Sequence, residues 1–452
     1  MSFRRVMVAN RGEIAARVIR TCQRMGIQTV LAASDADRDS LPARLADATV
    51  RIGPAAAAAS YLNIAAVVNA AVAAGVDAIH PGYGFLSENP RLARACDAAG
   101  IVFIGPSAEV LEAAGDKLAA REHAVAAGLP VLPGGPADGA DDAALAAGIG
   151  FPVLVKAAGG GGGRGLRVVR DPGSLARAIA VGSAEAEAAF GDARVYLERY
   201  VPVARHVEVQ LLGDGETVIH LGDRDCSVQR RYQKIIEEAP APGLDQRVRE
   251  ALRAAAVALG RQLKYQGLGT VEFLVDSDAG AFYFLEVNAR IQVEHPVTEE
   301  VTGLDLVAEQ IAVAEGRGVR PRQDDIRLSG HAIECRINAE DPADGFLPSP
   351  GTVTGAVFPA GAGIRVDTHV QAGSAVPAQY DSLLAKLVAF GADRGEALAR
   401  LRGALRRCEI GGVATNVAML AELTADEEFA AGGTDTGYMA RWLGREGGGW
   451  RG

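Results

Sequence analysis

The chain is short of the features that mark secreted or membrane proteins. Its five cysteines (Cys22, Cys96, Cys226, Cys335 and Cys408) are odd in number, far apart and without a C-x-x-C pair. That pattern argues against a disulfide framework and a zinc site, and for a reducing compartment. No stretch approaches the about 20 apolar residues of a spanning helix, and the opening MSFRRVMVANRGE lacks the apolar core of a signal peptide. The cytoplasm is the expected location. Positive charge is also in deficit: the formal net charge is −10, which disfavours a general nucleic-acid or membrane-surface binder but leaves room for local basic clusters aimed at anions. There is no G-x-x-x-x-G-K-[ST] phosphate loop. The first strand runs into NRGE rather than G-x-G-x-x-G, so a nicotinamide cofactor is not expected. Repeats, coiled-coil heptads and long low-complexity tracts are absent as well.

What is present suits a soluble α/β enzyme. The 452 residues are 49% hydrophobic and 23% charged, enough for roughly three domains. Residues 4 to 115 alternate strand-like runs (Val6 to Ala9, Thr29 to Ala32, Ala78-Ile79, Val102 to Ile104) with helical stretches, one of which carries Ile14, Val18, Cys22 and Met25 on a single face. This βαβ rhythm predicts a parallel sheet covered by helices. HPGYGFLSEN (80 to 89) reads as a packed loop, and the Gly, Pro, Ala and Asp of 130 to 150 as a boundary. KAAGGGGGRG (156 to 165) lies between two apolar runs, 151 to 155 and 166 to 169, so its glycines form the tip of a β-hairpin rather than a strand-to-helix phosphate loop. A helical stretch near 174 to 189 and a strand at 195 to 198 follow. Residues 205 to 290 are strand-rich, with a hairpin turn at Asp278-Ala-Gly280. A separate α+β segment starts near 331 and ends with a helix around Glu396 to Arg407.

The hairpin of 269 to 288 sets Glu272 on one strand and Glu286 on the other, followed by Asn288, Arg290, Gln292 and Glu294. If the strand continues, 286, 288, 290, 292 and 294 share one side, and Leu285, Val287, Ala289, Ile291 and Val293 form a core face opposite. A solvent-facing strand accounts for the polar side equally well. Its alternative is a site: two carboxylates and an amide are hard oxygen donors of the kind a phosphate-bridging divalent cation takes.

Six blocks in order, KAAGGGGGRG, RHVEVQ (205 to 210), DRDCSVQRRYQK (223 to 234), EEAPAPG (237 to 243), LEVNARIQVEHPVTE (285 to 299) and ECRINAEDP (334 to 342), with HPGYGFLSEN, resemble biotin carboxylase, an ATP-grasp ligase. The resemblance runs from NRGEIA to GGTDTGYMARWL. It implies an N-terminal Rossmann-like parallel-sheet domain (1 to 115), an ATP-grasp domain (116 to 325) with a mobile glycine-rich lid at about 131 to 200, and a C-terminal biotin carboxylase domain (331 to 445). The glycine hairpin then belongs to the lid, which closes over the phosphates of ATP and excludes water.

The same resemblance implies the roles. Lys117, Lys156 and His206 serve the nucleotide, with Gly161 and Gly162 on the lid, Glu198 near the adenine, and Gln229 and Lys234 close by. Glu272, Glu286 and Asn288 hold magnesium or manganese. Arg290, Gln292 and the Val293 backbone hold bicarbonate, Glu294 is the base, and Arg336 stabilises the biotin enolate; Glu294, Arg336, Arg290 and Lys234 form the expected catalytic set. Taken singly, Lys117 reads as a surface lysine, Arg336 as a salt-bridge partner, His206 as a strand histidine and Cys226 as packing. Three positions depart from the best-known bacterial pattern: Tyr232 for a histidine, Arg199 for a lysine and Ala289 for a threonine. They put nucleotide affinity in question, not activity. No methionine-lysine-methionine biotinylation segment occurs, so the expected partners are a separate biotin carboxyl carrier protein, carboxyltransferase subunits and a second copy of the chain; an excised part of a larger enzyme is the alternative. Competing readings are another ATP-grasp ligase of the carbamoyl-phosphate type, and a nucleotide-binding paralogue without turnover.

Overall fold

The computed structural model describes residues 2–139, 141–159, 166–276 and 279–445. Its first 103 residues build β1 (Arg5–Val8), α1 (Gly12–Arg24), β2 (Gln28–Ser34), β3 (Ala48–Gly53), β4 (Ala78–His80) and β5 (Val102–Phe103), ordered β3-β2-β1-β4-β5 with every pairing parallel. The expected βαβ sheet is there. Ile14, Val18 and Cys22 recur at helical spacing and are buried beneath it.

A small four-stranded sheet follows: β6 (Gly134–Pro136), β7 (Val153–Ala157), β8 (Arg167–Val169) and β9 (Val195–Arg199), ordered β6-β9-β7-β8. The flanks of the glycine run are thus antiparallel neighbours, with Val153 opposite Val169 and Val155 opposite Arg167. The tip, including Gly161 and Gly162, lies outside the described residues. Helices Asp142–Ile149 and Pro172–Phe190 cover this sheet, and Ala146, Val153, Val155, Val169, Leu175, Ala186, Val195 and Leu197 bury one another in a core of their own. The stretch read as a boundary supplies β6 and a helix. Gly134 explains the misreading: a Cβ there would stand 2.4 Å from the Leu197 carbonyl oxygen, so this glycine permits close strand approach rather than marking a linker.

The largest sheet has eight strands. β10 (Arg205–Asp214), β11 (Val218–Arg230), β12 (Gln233–Ala239), β13 (Gln266–Asp276), β14 (Ala281–Asn288) and β15 (His331–Asn338) join strands Leu383–Gly391 and Ile364–Thr368, in the order β14-β13-β10-β11-β12-β15-(383–391)-(364–368). The segment expected from 331 opens with β15, which pairs with β12 and so extends the sheet that carries the carboxylates. It does not end with the helix around Glu396 to Arg407; helices Val417–Ala425, Glu427–Ala431 and Tyr438–Arg445 follow and bury Met419, Leu423, Phe429 and Trp442 against that end of the sheet. The β13–β14 pairing is antiparallel as expected, while Asp278 of the expected turn lies outside the described residues. All five cysteines are buried and unpaired. Among the described residues, no helix is long and apolar enough to cross a membrane.

Candidate active site

Strand register gathers charge at one place on the large sheet. Glu208 on β10 lies opposite Arg224 on β11 and Glu272 on β13, and Gln229 on β11 lies opposite Lys234 on β12. From β12 the Lys234 ammonium reaches three carboxylates: Glu208 Oε2 at 2.6 Å, Glu272 Oε1 at 2.8 Å and Glu294 Oε1 at 2.6 Å. Glu208, which sequence reasoning missed, is further held by Arg224, a fully buried guanidinium whose Nε donates to it at 2.5 Å while its other nitrogens donate to Gln210, Thr270 and Thr298. Burial pushes all three carboxyls toward the neutral form, and the cations win. Glu208 is drawn down to about 2 by Arg224 and Lys234, Glu272 well below the carboxylate range by Lys234 and His206, and Glu294 below it by Lys234 and Arg336. Lys234 is correspondingly raised well above an ordinary lysine, since burial is outweighed by the three glutamates.

The segment after β14 completes the cluster. The expected continuous strand stops at Asn288, and Glu294 caps the helix His295–Thr302. The residues still converge, through hydrogen bonds instead of pleating. Asn288 Nδ2 and Gln292 Nε2 donate to Glu272 Oε1 at 2.9 and 3.2 Å. Arg290 donates to Asn288 Oδ1, Gln292 Oε1 and Glu88 Oε2, each at 2.9 Å. Glu88 comes from the stretch read as a packed loop, and its other oxygen accepts from the Ala289 N–H. On β15, Arg336 donates to Glu294 Oε2 at 2.9 Å and to Glu237 Oε1 at 2.5 Å. Glu237, in the EEAPAPG block, is fully buried and raised to about 7 by that burial against the pull of Arg336. Cys226 Sγ lies 4.0 Å from Glu294 Oε1; burial holds its thiol well above the usual value, so it packs as a neutral group.

His206 joins through Nε2, 3.0 Å from Glu272 Oε2, while its Nδ1 meets Gln229 Nε2 at 2.8 Å. The Glu272 charge holds the imidazole above its ordinary value despite burial. Thus Glu272, Asn288, Arg290, Gln292, Glu294, Lys234, His206, Gln229 and Arg336 share one hydrogen-bonded network. Four of the remaining site residues form two pairs: Lys117, first residue of the helix Lys117–Ala126, with Glu286 at 3.7 Å, and the buried Lys156 on β7 with Glu198 on β9 at 3.0 Å; the Val293 carbonyl accepts from Lys386 at 2.9 Å.

Glu272 and Glu286 are register partners across β13 and β14, with Asn288 two residues on. Their oxygen-only donor set fits a hard divalent cation. Glu272 also belongs to a His206-Glu208-Glu272 grouping, and Glu208-Cys226-Glu294 is a second; around Lys234 and Arg224 these read as an ion-pair network.

The small four-stranded sheet with its Lys156–Glu198 pair and the large sheet with its glutamates gathered about Lys234 match the two β-structures of an ATP-grasp ligase. Family models agree along the chain: "Biotin carboxylase, N-terminal domain" matches residues 2–111, "Carbamoyl-phosphate synthase L chain, ATP binding domain" 116–321, and "Biotin carboxylase C-terminal domain" 334–441. The chain is 49% identical to the biotin carboxylase of Pseudomonas aeruginosa, covering 98% of this chain and 99% of that one. It is 47% identical to a pyruvate carboxylase component of Methanothermobacter thermautotrophicus, covering 97% and 89%. Among solved structures, the biotin carboxylase domain dimer of Hydrogenobacter thermophilus 2-oxoglutarate carboxylase, in complex with MgADP, ADP and bicarbonate, is 43% identical, with a TM-score of 0.94 over 99% of this chain and 98% of that one. The chain belongs to the biotin carboxylase family, whose members are ATP-dependent ligases.

Proposed function

We propose that this protein carboxylates biotin on a separate carrier protein, using ATP and bicarbonate, as the first half-reaction of an acetyl-CoA carboxylase in fatty acid synthesis. The observation that carries the chemistry is Glu294: fully buried, yet held ionised by Lys234 and Arg336 on its two oxygens. An ionised carboxylate in a closed site can accept the bicarbonate proton. Bicarbonate oxygen then attacks the γ-phosphorus, the bond to ADP breaks, and carboxyphosphate forms. Its C–O cleavage releases CO₂ and a basic phosphate; the phosphate takes the N1 proton of biotin, and the N1 of the resulting enolate forms its new bond to the carbon of CO₂.

Arg290, Gln292 and the Val293 backbone hold bicarbonate beside Glu294. Arg336 carries the negative oxygen of the biotin enolate, the task of a preorganised cation in a water-poor site. Lys117, Lys156 and His206 serve the nucleotide's phosphates, with Gly161 and Gly162 on the lid, Glu198 at the adenine end and Gln229 alongside. Glu272, Glu286 and Asn288 would hold magnesium, or manganese with the same donors, which neutralises phosphate charge when bound. The MgADP and bicarbonate named for the Hydrogenobacter relative support these ligands, and its dimer supports a homodimer here. We place the enzyme in the cytoplasm, with a biotin carboxyl carrier protein and carboxyltransferase subunits as partners.

The test is ADP release by the purified chain as bicarbonate and free biotin are varied. Release should require bicarbonate and rise with biotin, and a biotinylated carrier should gain a carboxyl group while the chain itself shows no covalent biotin by mass. Release indifferent to biotin would instead indicate a ligase of another specificity. Reconstitution with carboxyltransferases for acetyl-CoA and for pyruvate separates the two downstream assignments; carboxyl transfer to pyruvate alone overturns the acetyl-CoA one.

A further inference from the structure

Lys386 ties together parts of the chain that are remote in sequence. It sits on the strand Leu383–Gly391, opposite Arg336 on β15 and opposite Asp367 on the other neighbour. Its side chain is fully buried. The ammonium donates to the Val293 carbonyl at 2.9 Å and lies 3.1 Å from Glu13 Oε2. Glu13 opens α1 in the NRGE block, and its other oxygen accepts from the Tyr83 hydroxyl. A buried ammonium is costly unless paired. Here the pairing spans the N-terminal unit, the C-terminal strands and the turn that ends in Glu294.

We propose that Lys386 is a positioning residue for the bicarbonate turn Gln292–Glu294, an inference that rests on the biotin carboxylase reading. The peptide between Val293 and Glu294 has one carbonyl, and Lys386 holds it. The preceding peptide is pinned separately, since the Gln292 carbonyl accepts from the His295 ring at 2.7 Å and from the His295 N–H at 3.3 Å. With both peptide planes fixed, the Glu294 side chain is aimed between Lys234 and Arg336. Releasing the second plane lets the carboxylate turn away from both cations. Neither Glu13 nor Lys386 touches the nucleotide-serving residues Lys117 and Lys156 in any contact described above.

The test is Lys386→Met, with Glu13→Gln/Lys386→Met as the companion that leaves no buried charge unpaired. Bicarbonate-dependent ADP release should fall about 10- to 100-fold, the scale of a small misplacement of a reacting group. The bicarbonate KM should rise severalfold while the MgATP KM stays within about twofold, a split that general loss of structure does not produce. Hydrogen exchange at the amides of Val293, Glu294, His295 and Val297 should quicken in both variants. A folded double variant with wild-type bicarbonate kinetics overturns the proposal, as does unchanged exchange at those amides, or equal loss in both KM values. If the unaltered chain shows no bicarbonate-dependent ADP release, the biotin carboxylase reading fails on its own, and the exchange experiment still decides whether Lys386 anchors the turn.

Discussion

Removing the ammonium at the centre of the site should cost stability in a way that depends on pH. In Lys234→Met, Glu208, Glu272 and Glu294 lose their shared cation at 2.6, 2.8 and 2.6 Å, but each keeps one partner: Arg224, His206 and Arg336 respectively. Breaking a buried ion pair typically costs about 3–5 kcal/mol, and the retained partners limit the loss to that range rather than three times it. The pH dependence follows from linkage. In the native protein these carboxyls titrate below their unfolded values, so their contribution is complete above the unfolded value and is lost as pH falls through the folded one. Without Lys234, burial is opposed only by the retained partners and the folded carboxyls shift upward, Glu272 and Glu294 most, because Lys234 is their strongest counter-charge whereas Arg224 is that of Glu208. The variant then takes up protons on folding that the native carboxylates do not, so as pH falls from 8 toward 5 it gains stability beyond the gain that the raised Glu237 and His206 already give the native protein. The difference should narrow by about 1.4 kcal/mol per pH unit for each proton taken up. Urea unfolding at pH 8 and pH 5.5, followed by far-UV circular dichroism, reads this directly. A difference equal at the two pH values would refute the account of Lys234 as the neutralising group.

The other predictions separate base, metal ligand and enolate stabiliser. Glu294→Gln should cut bicarbonate-dependent ADP release by about 10²- to 10⁴-fold, as for loss of a general base, with little change in MgATP affinity; near-normal turnover would exclude the base assignment. Glu286→Gln should raise the magnesium concentration needed for half-maximal rate, measured by titrating the metal at fixed ATP; an unshifted titration removes it from the metal set. Arg336→Ala should depress carboxylation of biotin more than bicarbonate-dependent ATP cleavage, both assayed on one preparation, and equal losses would argue against an enolate partner.

Local periodicity exposed what local forces determine. The βαβ alternation of 4 to 115 and the strand flanks of the glycine run follow from side-chain period and turn residues, and both stand in the structure. The break after Asn288 was hidden because Ala289 and Ile291 remain buried, so the apolar alternation persists through a segment that is no longer strand. Convergence of Arg290, Gln292 and Glu294 therefore depends on partners remote in sequence: Glu88, Lys234 and Arg336. Glu208 and Arg224 were illegible for a related reason. Inside an alternating strand a charged residue reads as solvent-facing, and only the register of β10 between β11 and β13 buries the two together. The same holds for the sheet itself, where Glu237 on β12 meets Glu334 on β15 across the boundary expected near 331. Family blocks named most of the side chains that matter, Lys234 and Arg336 among them, whereas which carboxylates those cations neutralise depends on long-range pairing. A substitution at Arg224 or Lys386 would thus disturb the site as strongly as one in the recognisable NARIQVEH run, although neither residue lies in that run.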